Sequence, residues 1–242
     1  MSHQLATLLR EGTKESHTMA ENVGFIKSFL AGVVEKRSYR KLVGNFYFIY
    51  AAIEAEFERH RDHPVLSKLY FPELWREGTL EEDLAFYYGQ NWRDEVKPSP
   101  ACVEYLDCIK KVSDEQPELL VAHAYTRYLG DLSGGQILKN IAKRAMGLED
   151  GRGLNFYEFE AIPNPGPFKN KYRAAMDSLP VSEAMAQKIV AEANHSFHLN
   201  MKLFKELEGN WFLSLLRITW STLVSRLQGM FAKKSKPASQ AS

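Results

Sequence analysis

Cysteine is scarce in this 242-residue sequence, which holds only Cys102 and Cys108. Their spacing matches no zinc-ligand pattern, and two thiols make no disulfide framework. They read as ordinary residues of a reducing compartment. An excess of one charge is missing as well. The 31 basic and 30 acidic side chains leave a net charge of +1, without the basic stripe of a general nucleic-acid binder. No uncharged apolar run reaches the roughly 18 residues of a membrane span. The N-terminal MSHQLATLLREGTKESH has no long apolar core, so it reads as neither a signal nor a transit peptide. Alternating segments of strand period, internal repeats and a clear linker are absent. Also absent are G-x-S-x-G, P-loop, Rossmann and HExxH patterns, which removes the common hydrolase, nucleotide and zinc-peptidase chemistries.

What remains is helical. Hydrophobic residues at 45% and aromatics at 12% are enough for a substantial core. The pattern predicts an all-α fold, one domain of packed helices over residues 1–210. Residues 211–242 follow as an amphipathic helix and a disordered tail. Arg217 and Arg226 interrupt that helix; it docks on the protein's own body or, over 211–232, lies on a membrane surface. Helices are expected at 3–21, 24–30 and 34–60, the last burying Leu42, Phe46, Ile49, Ile53 and Phe57. Others are expected near 79–88, with Thr79 and Glu82 as a capping box, and at 100–112, 168–179 and 181–208.

One stretch breaks helical rules. In Tyr125–Arg144, Leu129, Leu132, Ile137, Leu138 and Ile141 recur at helical spacing, yet Gly130, Gly134 and Gly135 interrupt them. Each interior glycine costs about 1 kcal/mol relative to alanine. A helix tolerates that where it kinks or where something flat presses on its backbone. Asp131 sits among these glycines, either as a helix cap after a kink at Gly130 or as a polar group that holds water over a bound ligand.

The first helix offers a partner. Leu5, Leu9, Thr13 and His17 fall four apart on one stripe, which places His17 on an inward face. Glu21 is one turn further on, able to orient a metal-binding imidazole directly or through water. Arg10 lies on roughly the same side, about 10 Å from His17 along the axis. Lys169 and Arg173, at i and i+4, read as a solvated face or, with Arg10, as a basic rim for carboxylates. Histidine on one side, a side-chain-poor helix on the other and cations at an edge suggest haem. A carboxylate-bridged di-iron pair needs Glu-x-x-His twice, and only Glu192–His195 offers it.

The runs TKESHTMAEN at 13–22, AHAYTRYLGDLSGGQILKNIAKRAM at 122–146 and FKNKYR at 168–173 closely resemble haem oxygenase, over about residues 5–208. The resemblance implies an enzyme that cleaves haem b, at once substrate and cofactor, to biliverdin (the IX-alpha isomer), carbon monoxide and ferrous iron. It implies dioxygen as oxidant. Likeness to the members from photosynthetic organisms implies reduced ferredoxin as electron donor, a biliverdin-consuming reductase downstream, and a cytoplasmic or plastid-stroma location. Residue by residue, His17 matches the iron ligand and Glu21 its second-shell partner. Gly130, Ser133, Gly134 and Gly135 match the helix against the haem face. Asp131, Tyr125 and Arg127 match the water network of that side. Arg10, Lys169 and Arg173 match the basic residues around the propionates, where lysine is common in place of Arg10. The alternative is a haem-binding or storage protein without the oxygen chemistry. A related fold acting on a thiamine-like heterocycle would carry a pocket cysteine, and neither Cys102 nor Cys108 lies near a motif in the sequence.

Overall fold

The computed structural model of the chain describes residues 4–148 and 150–208. They form α1 (Leu5–Gly12), α2 (Lys14–Glu21), α3 (Gly24–Leu30), α4 (Lys36–Arg59), α5 (Glu77–Tyr88), α6 (Trp92–Glu95) and α7 (Pro100–Glu115). After these come α8 (Leu120–Ala124), a π-helical turn at Tyr125–Leu129, α9 (Gly130–Met146), α10 (Pro165–Asp177) and α11 (Glu183–Glu208). The described residues include no strand, as the missing period-2 pattern predicts. The amphipathic segment 211–232 lies outside the described residues.

Two long helices organise the packing. α4 carries the predicted stripe: Leu42, Phe46, Ile49, Ile53 and Phe57 are all buried. Each such side chain removed from water stabilises the fold by about 1.5–3 kcal/mol before entropy is counted. α4 packs on α5, α7 and α8. α11 crosses α1, α2, α3, α7 and α8. Small buried residues, Ala186, Ala193 and Ser196, let those helices approach it closely.

Three local expectations need correction. The N-terminal segment is two helices, broken at Thr13 (φ −110°, ψ 2°). A Cβ on Gly12 would sit 2.5 Å from Val190 Cγ1, so α11 comes too near the end of α1 for a side chain to be added there without a shift. Asn194 Nδ2 donates to the Gly12 carbonyl at 2.9 Å, and Ser16 Oγ donates to Asn194 Oδ1 at 2.5 Å. The second correction concerns α5, which starts at Glu77 with no cap from Thr79. The buried Glu54 carboxylate of α4 accepts from the backbone N–H groups of Arg76 and Glu77 instead. One acid with two oxygens satisfies two orphan donors of the first turn, and a local hydroxyl satisfies one.

The third correction concerns the glycine stretch. It does not kink at Gly130, whose φ of −62° and ψ of −49° are ordinary helical values. The irregularity lies one turn earlier, in the π turn, a feature often found at functional sites. Near the C-terminal end, α11 begins as expected, with Ser182 Oγ accepting from Met185 N at 3.2 Å.

Gly12→Ala is expected to lower stability in urea denaturation by about 1–3 kcal/mol through overpacking. Val190→Ala in the same chain should recover part of that loss. A neutral Gly12→Ala would show that the α1–α11 approach imposes no constraint.

Candidate functional site

The N-terminal stripe starts in the core and then leaves it. Leu5, Leu9 and Thr13 are 1%, 0% and 3% exposed, while the next residue of the stripe, His17, has a side chain 58% exposed. α2 buries none of its residues. The inward face predicted for His17 is therefore a face that the described residues leave uncovered. The imidazole meets the edge of the Phe197 ring, with centroids 5.8 Å apart. Its Nδ1 lies 3.7 Å from Glu21 Oε1, too far for a direct hydrogen bond and suited to a bridging water. That orientation leaves Nε2 for a ligand.

α9 presents an equally unusual face. Gly130, Ser133 and Ile137 are exposed, Ile137 by 62%. A solvated helix face normally carries charge; this one is small and mostly apolar. A Cβ added to Gly130 or Gly134 would meet nothing within 4 Å. Gly135 differs, since its Cβ would stand 3.4 Å from the Tyr157 ring. Two of the glycines thus border open space, and the third packs against protein.

The segments that precede these two helices come close to each other. The Tyr125 phenol, at the start of the π turn, lies near the Thr13 side chain, whose hydroxyl donates to the Leu9 carbonyl at 2.7 Å. Burial raises the Tyr125 pKa against the opposing pull of Thr13 and of the nearby Arg173 and Arg10 guanidinium groups. Tyr125 accordingly belongs to the basic edge, while Arg127 lies with Asp131. Arg10 and Arg173 come together because α10 docks on α1, where Asp177 accepts from the Ala6 N–H at 2.9 Å. Both have polar neighbours of their own: Arg10 pairs with Glu11 at 2.8 Å, and Arg173 donates to Asn170 at 3.2 Å. Lys169 is half-buried.

Asp131 caps nothing; α9 has no side-chain cap. Its side chain, 13% exposed, accepts on Oδ2 from the Tyr50 hydroxyl. Arg127 Nε donates to that same Tyr50 oxygen at 2.9 Å, and Arg127 Nη1 donates to Asn200 Oδ1 at 2.7 Å. The guanidinium also lies over the Phe46 ring, 4.2 Å from its centroid. Burial opposes the Arg127 charge, but Tyr50, Asp131 and Tyr105 outweigh it, so the group is held cationic. Burial raises the Asp131 pKa above the usual aspartate value, with Arg127, Tyr50 and Arg76 working against the rise. Close by, Glu54 is pushed by burial to about 7 despite bonds from Arg76 N, Glu77 N and Tyr128.

Sequence reasoning missed Tyr50, Asn200 and Arg76. Tyr50 left one signal: it follows Phe46 by four on the buried stripe of α4, and a buried phenol needs a partner. A cleft of about 340 Å³ opens beside Asp131, between Gln136 and Phe159. A larger surface depression, of about 600 Å³, lies at Arg37, Arg40 and Lys41 and touches none of these residues.

An exposed histidine on α2, an open glycine face on α9 and a buried acid held by tyrosine and arginine are what an all-α enzyme for a flat, metal-bearing ligand would need. The comparisons narrow this class. The family model described as Heme oxygenase matches residues 3–206. The chain is 59% identical to Heme oxygenase 1 of Synechocystis sp., covering 93% of this chain and 94% of that protein. It is 54% identical to Heme oxygenase of the red alga Pyropia yezoensis, covering 96% of each. The crystal structure of heme oxygenase-1 from Synechocystis in complex with heme superposes with a TM-score of 0.88 at 60% identity, covering 91% of this chain and 99% of that one. The chain belongs to the haem oxygenase family.

Gly134→Leu is expected to leave stability unchanged or raise it by up to about 1 kcal/mol, because a glycine leaves the helix interior. The same change should weaken haem binding in a spectrophotometric titration. Undiminished affinity would place haem elsewhere than on the open face of α9.

Proposed function

We propose that this chain cleaves haem oxidatively to biliverdin IX-alpha, carbon monoxide and ferrous iron, with dioxygen as oxidant and reduced ferredoxin as electron donor. The observation that carries this reading is the stripe Leu5–Leu9–Thr13–His17. It is aligned with the core and uncovered only at the histidine, and α9 adds the open faces of Gly130 and Gly134. The donors fit haem: one imidazole, a flat apolar wall and cations at one edge.

His17 holds the iron through Nε2, and Glu21 keeps the ring oriented through a water on Nδ1. The α9 face from Gly130 through Ser133 to Gly134, with Gly135 seated on Tyr157 behind it, supports the flat ring. Arg10, Lys169 and Arg173 meet its carboxylates at the α1–α10 edge, with Tyr125 near Arg10 and Arg173. Bound haem supplies the iron that activates dioxygen and the ring that is oxidised.

Asp131 is the group that handles protons. Tyr50 occupies its Oδ2, and Oδ1 remains 4.0 Å from Arg127 Nη2. Oδ1 is then the atom that holds water on the haem side. An acid whose pKa is raised by burial takes up and returns a proton more readily than an exposed aspartate at neutral pH. Arg127 and Tyr50 are positioning residues, since they hold the Asp131 carboxylate in place. A biliverdin-consuming reductase completes the setting, in a bacterial cytoplasm or a plastid stroma. Among the described residues no helix is long and apolar enough to cross a membrane.

Incubation of pure protein with haemin, ferredoxin, its reductase and NADPH should bleach the Soret band while biliverdin absorbance grows in. Asp131→Ala should bind haem and yield little or no biliverdin. A Soret band that persists in the unaltered protein as a stable dioxygen complex would instead mark a storage protein. In a second experiment His17→Ala should retain haem uptake and lose turnover, with added imidazole restoring part of it. Full turnover in His17→Ala would remove that residue from the iron.

A further inference from the structure

Away from the proposed haem face, three helices bring Cys108 of α7, His123 of α8 and Glu192 of α11 together. Sulfur, nitrogen and oxygen donor atoms of these residues all lie within 4.8 Å of one another. The Cys108 thiol donates to Glu192 Oε1 at 3.3 Å. His123 Nε2 stands 3.1 Å from that oxygen.

The imidazole is the telling group. His123 is fully buried, at 0% exposure, and its Nε2 has no hydrogen-bond partner. Glu192 is near enough to interact with it electrostatically but off the line a hydrogen bond requires. A buried polar atom left this way calls for an explanation, of which a bound ion is one. The other ring nitrogen, Nδ1, lies 3.5 Å from the Tyr105 hydroxyl. That is the outer contact by which proteins commonly orient a metal-binding histidine.

Donor chemistry and charge point the same way. One thiolate, one imidazole and one carboxylate suit a borderline-soft dication, with bonds of about 2.0–2.3 Å. Donors at such bond lengths around a tetrahedral ion stand roughly 3.2–3.7 Å apart, and the two separations to Glu192 Oε1 are already close to that. Two anions and one dication sum to a neutral centre, which a largely apolar interior accepts. Without a cation, burial and the nearby Glu192 push the Cys108 thiol up to about 12. Cys108 and the Glu192 side chain are each partly exposed, which gives an ion and a fourth, water ligand a way in.

We infer that Cys108, His123 and Glu192 form a binding site for one zinc-class divalent cation, separate from the proposed haem site. Occupancy ties α7, α8 and α11 together two residues before the π turn, at the base of the segment that carries Arg127 and Gly130. The site stands independently of the haem-cleaving reading.

The test uses the haem-free full chain. Calorimetric titration with zinc chloride against a competing chelator should give one tight site. Cobalt(II) should give a thiolate-to-metal charge-transfer band. Cys108→Ser should lose the band and weaken zinc binding by about 100-fold or more, beyond the loss typical of outer-shell changes. Glu192→Gln, which keeps the side chain's size, should weaken it as well, and His17→Ala should not change it. Zinc should also shield Cys108 from a thiol reagent. Undiminished zinc binding in Cys108→Ser, with folding verified by circular dichroism, would assign the metal to surface histidines and overturn the proposal. Absence of the cobalt band in the unaltered chain would overturn it too.

Discussion

The close approach of α11 to the Gly12–Thr13 junction is the constraint on which the proposed site depends. At Gly12 no side chain fits beside Val190. Asn194 holds the Gly12 carbonyl and the Ser16 hydroxyl from the same helix. At Thr13 the chain is interrupted between two helices instead of running on as one. α2 packs against α11 yet fully buries none of its residues. Thr13 also lies near Tyr125, so the segments that precede the two helices bearing the candidate residues are neighbours.

Behind α9 lies the second requirement, a buried polar network with few loose ends. An isolated buried carboxylate is costly. Asp131 is held by Tyr50, with Arg127 near, and Arg127 is held by Tyr50 and Asn200 and covered by the Phe46 ring. Glu54 meets two backbone donors and Tyr128. Satisfied networks of this kind rigidify a core and specify one arrangement. Here they also place the Asp131 carboxylate next to the open glycine face. Tyr125 and Arg127 stand two apart on a helical segment and so point to different sides, Tyr125 toward the basic edge and Arg127 inward. Two residues that the motif places almost side by side thus serve opposite edges of the site.

The same segment links the proposed haem and metal sites. Within AHAYTRYLGD, His123 meets Cys108 and Glu192, while Arg127 and Asp131 meet Tyr50. Tyr105 lies between them, 3.5 Å from both His123 Nδ1 and Asn200 Nδ2. Polar contacts therefore run through the core from one group to the other, with the longer ones near the limit of hydrogen bonding.

Periodicity alone was enough for the all-α class, the buried stripe of α4 and the Ser182 start of α11, because each depends on residues within a turn or two of one another. The glycines of α9 and the spacing of Arg10, His17 and Glu21 were legible for the same reason. Local sequence could not show why Gly12 has no room for a side chain, since the group it would meet lies 178 positions away. Nor could it show that Glu54 caps α5, that Tyr50 and Asn200 hold the Asp131–Arg127 pair, or that Cys108 lies beside His123 although no spacing rule connects them. Those facts depend on which helices cross and how closely. The sequence by itself determined the helices and the chemistry they carry. Only the tertiary structure decided which of those groups are covered, paired or left open, because burial and hydrogen bonding between distant residues are set by packing and not by spacing along the chain.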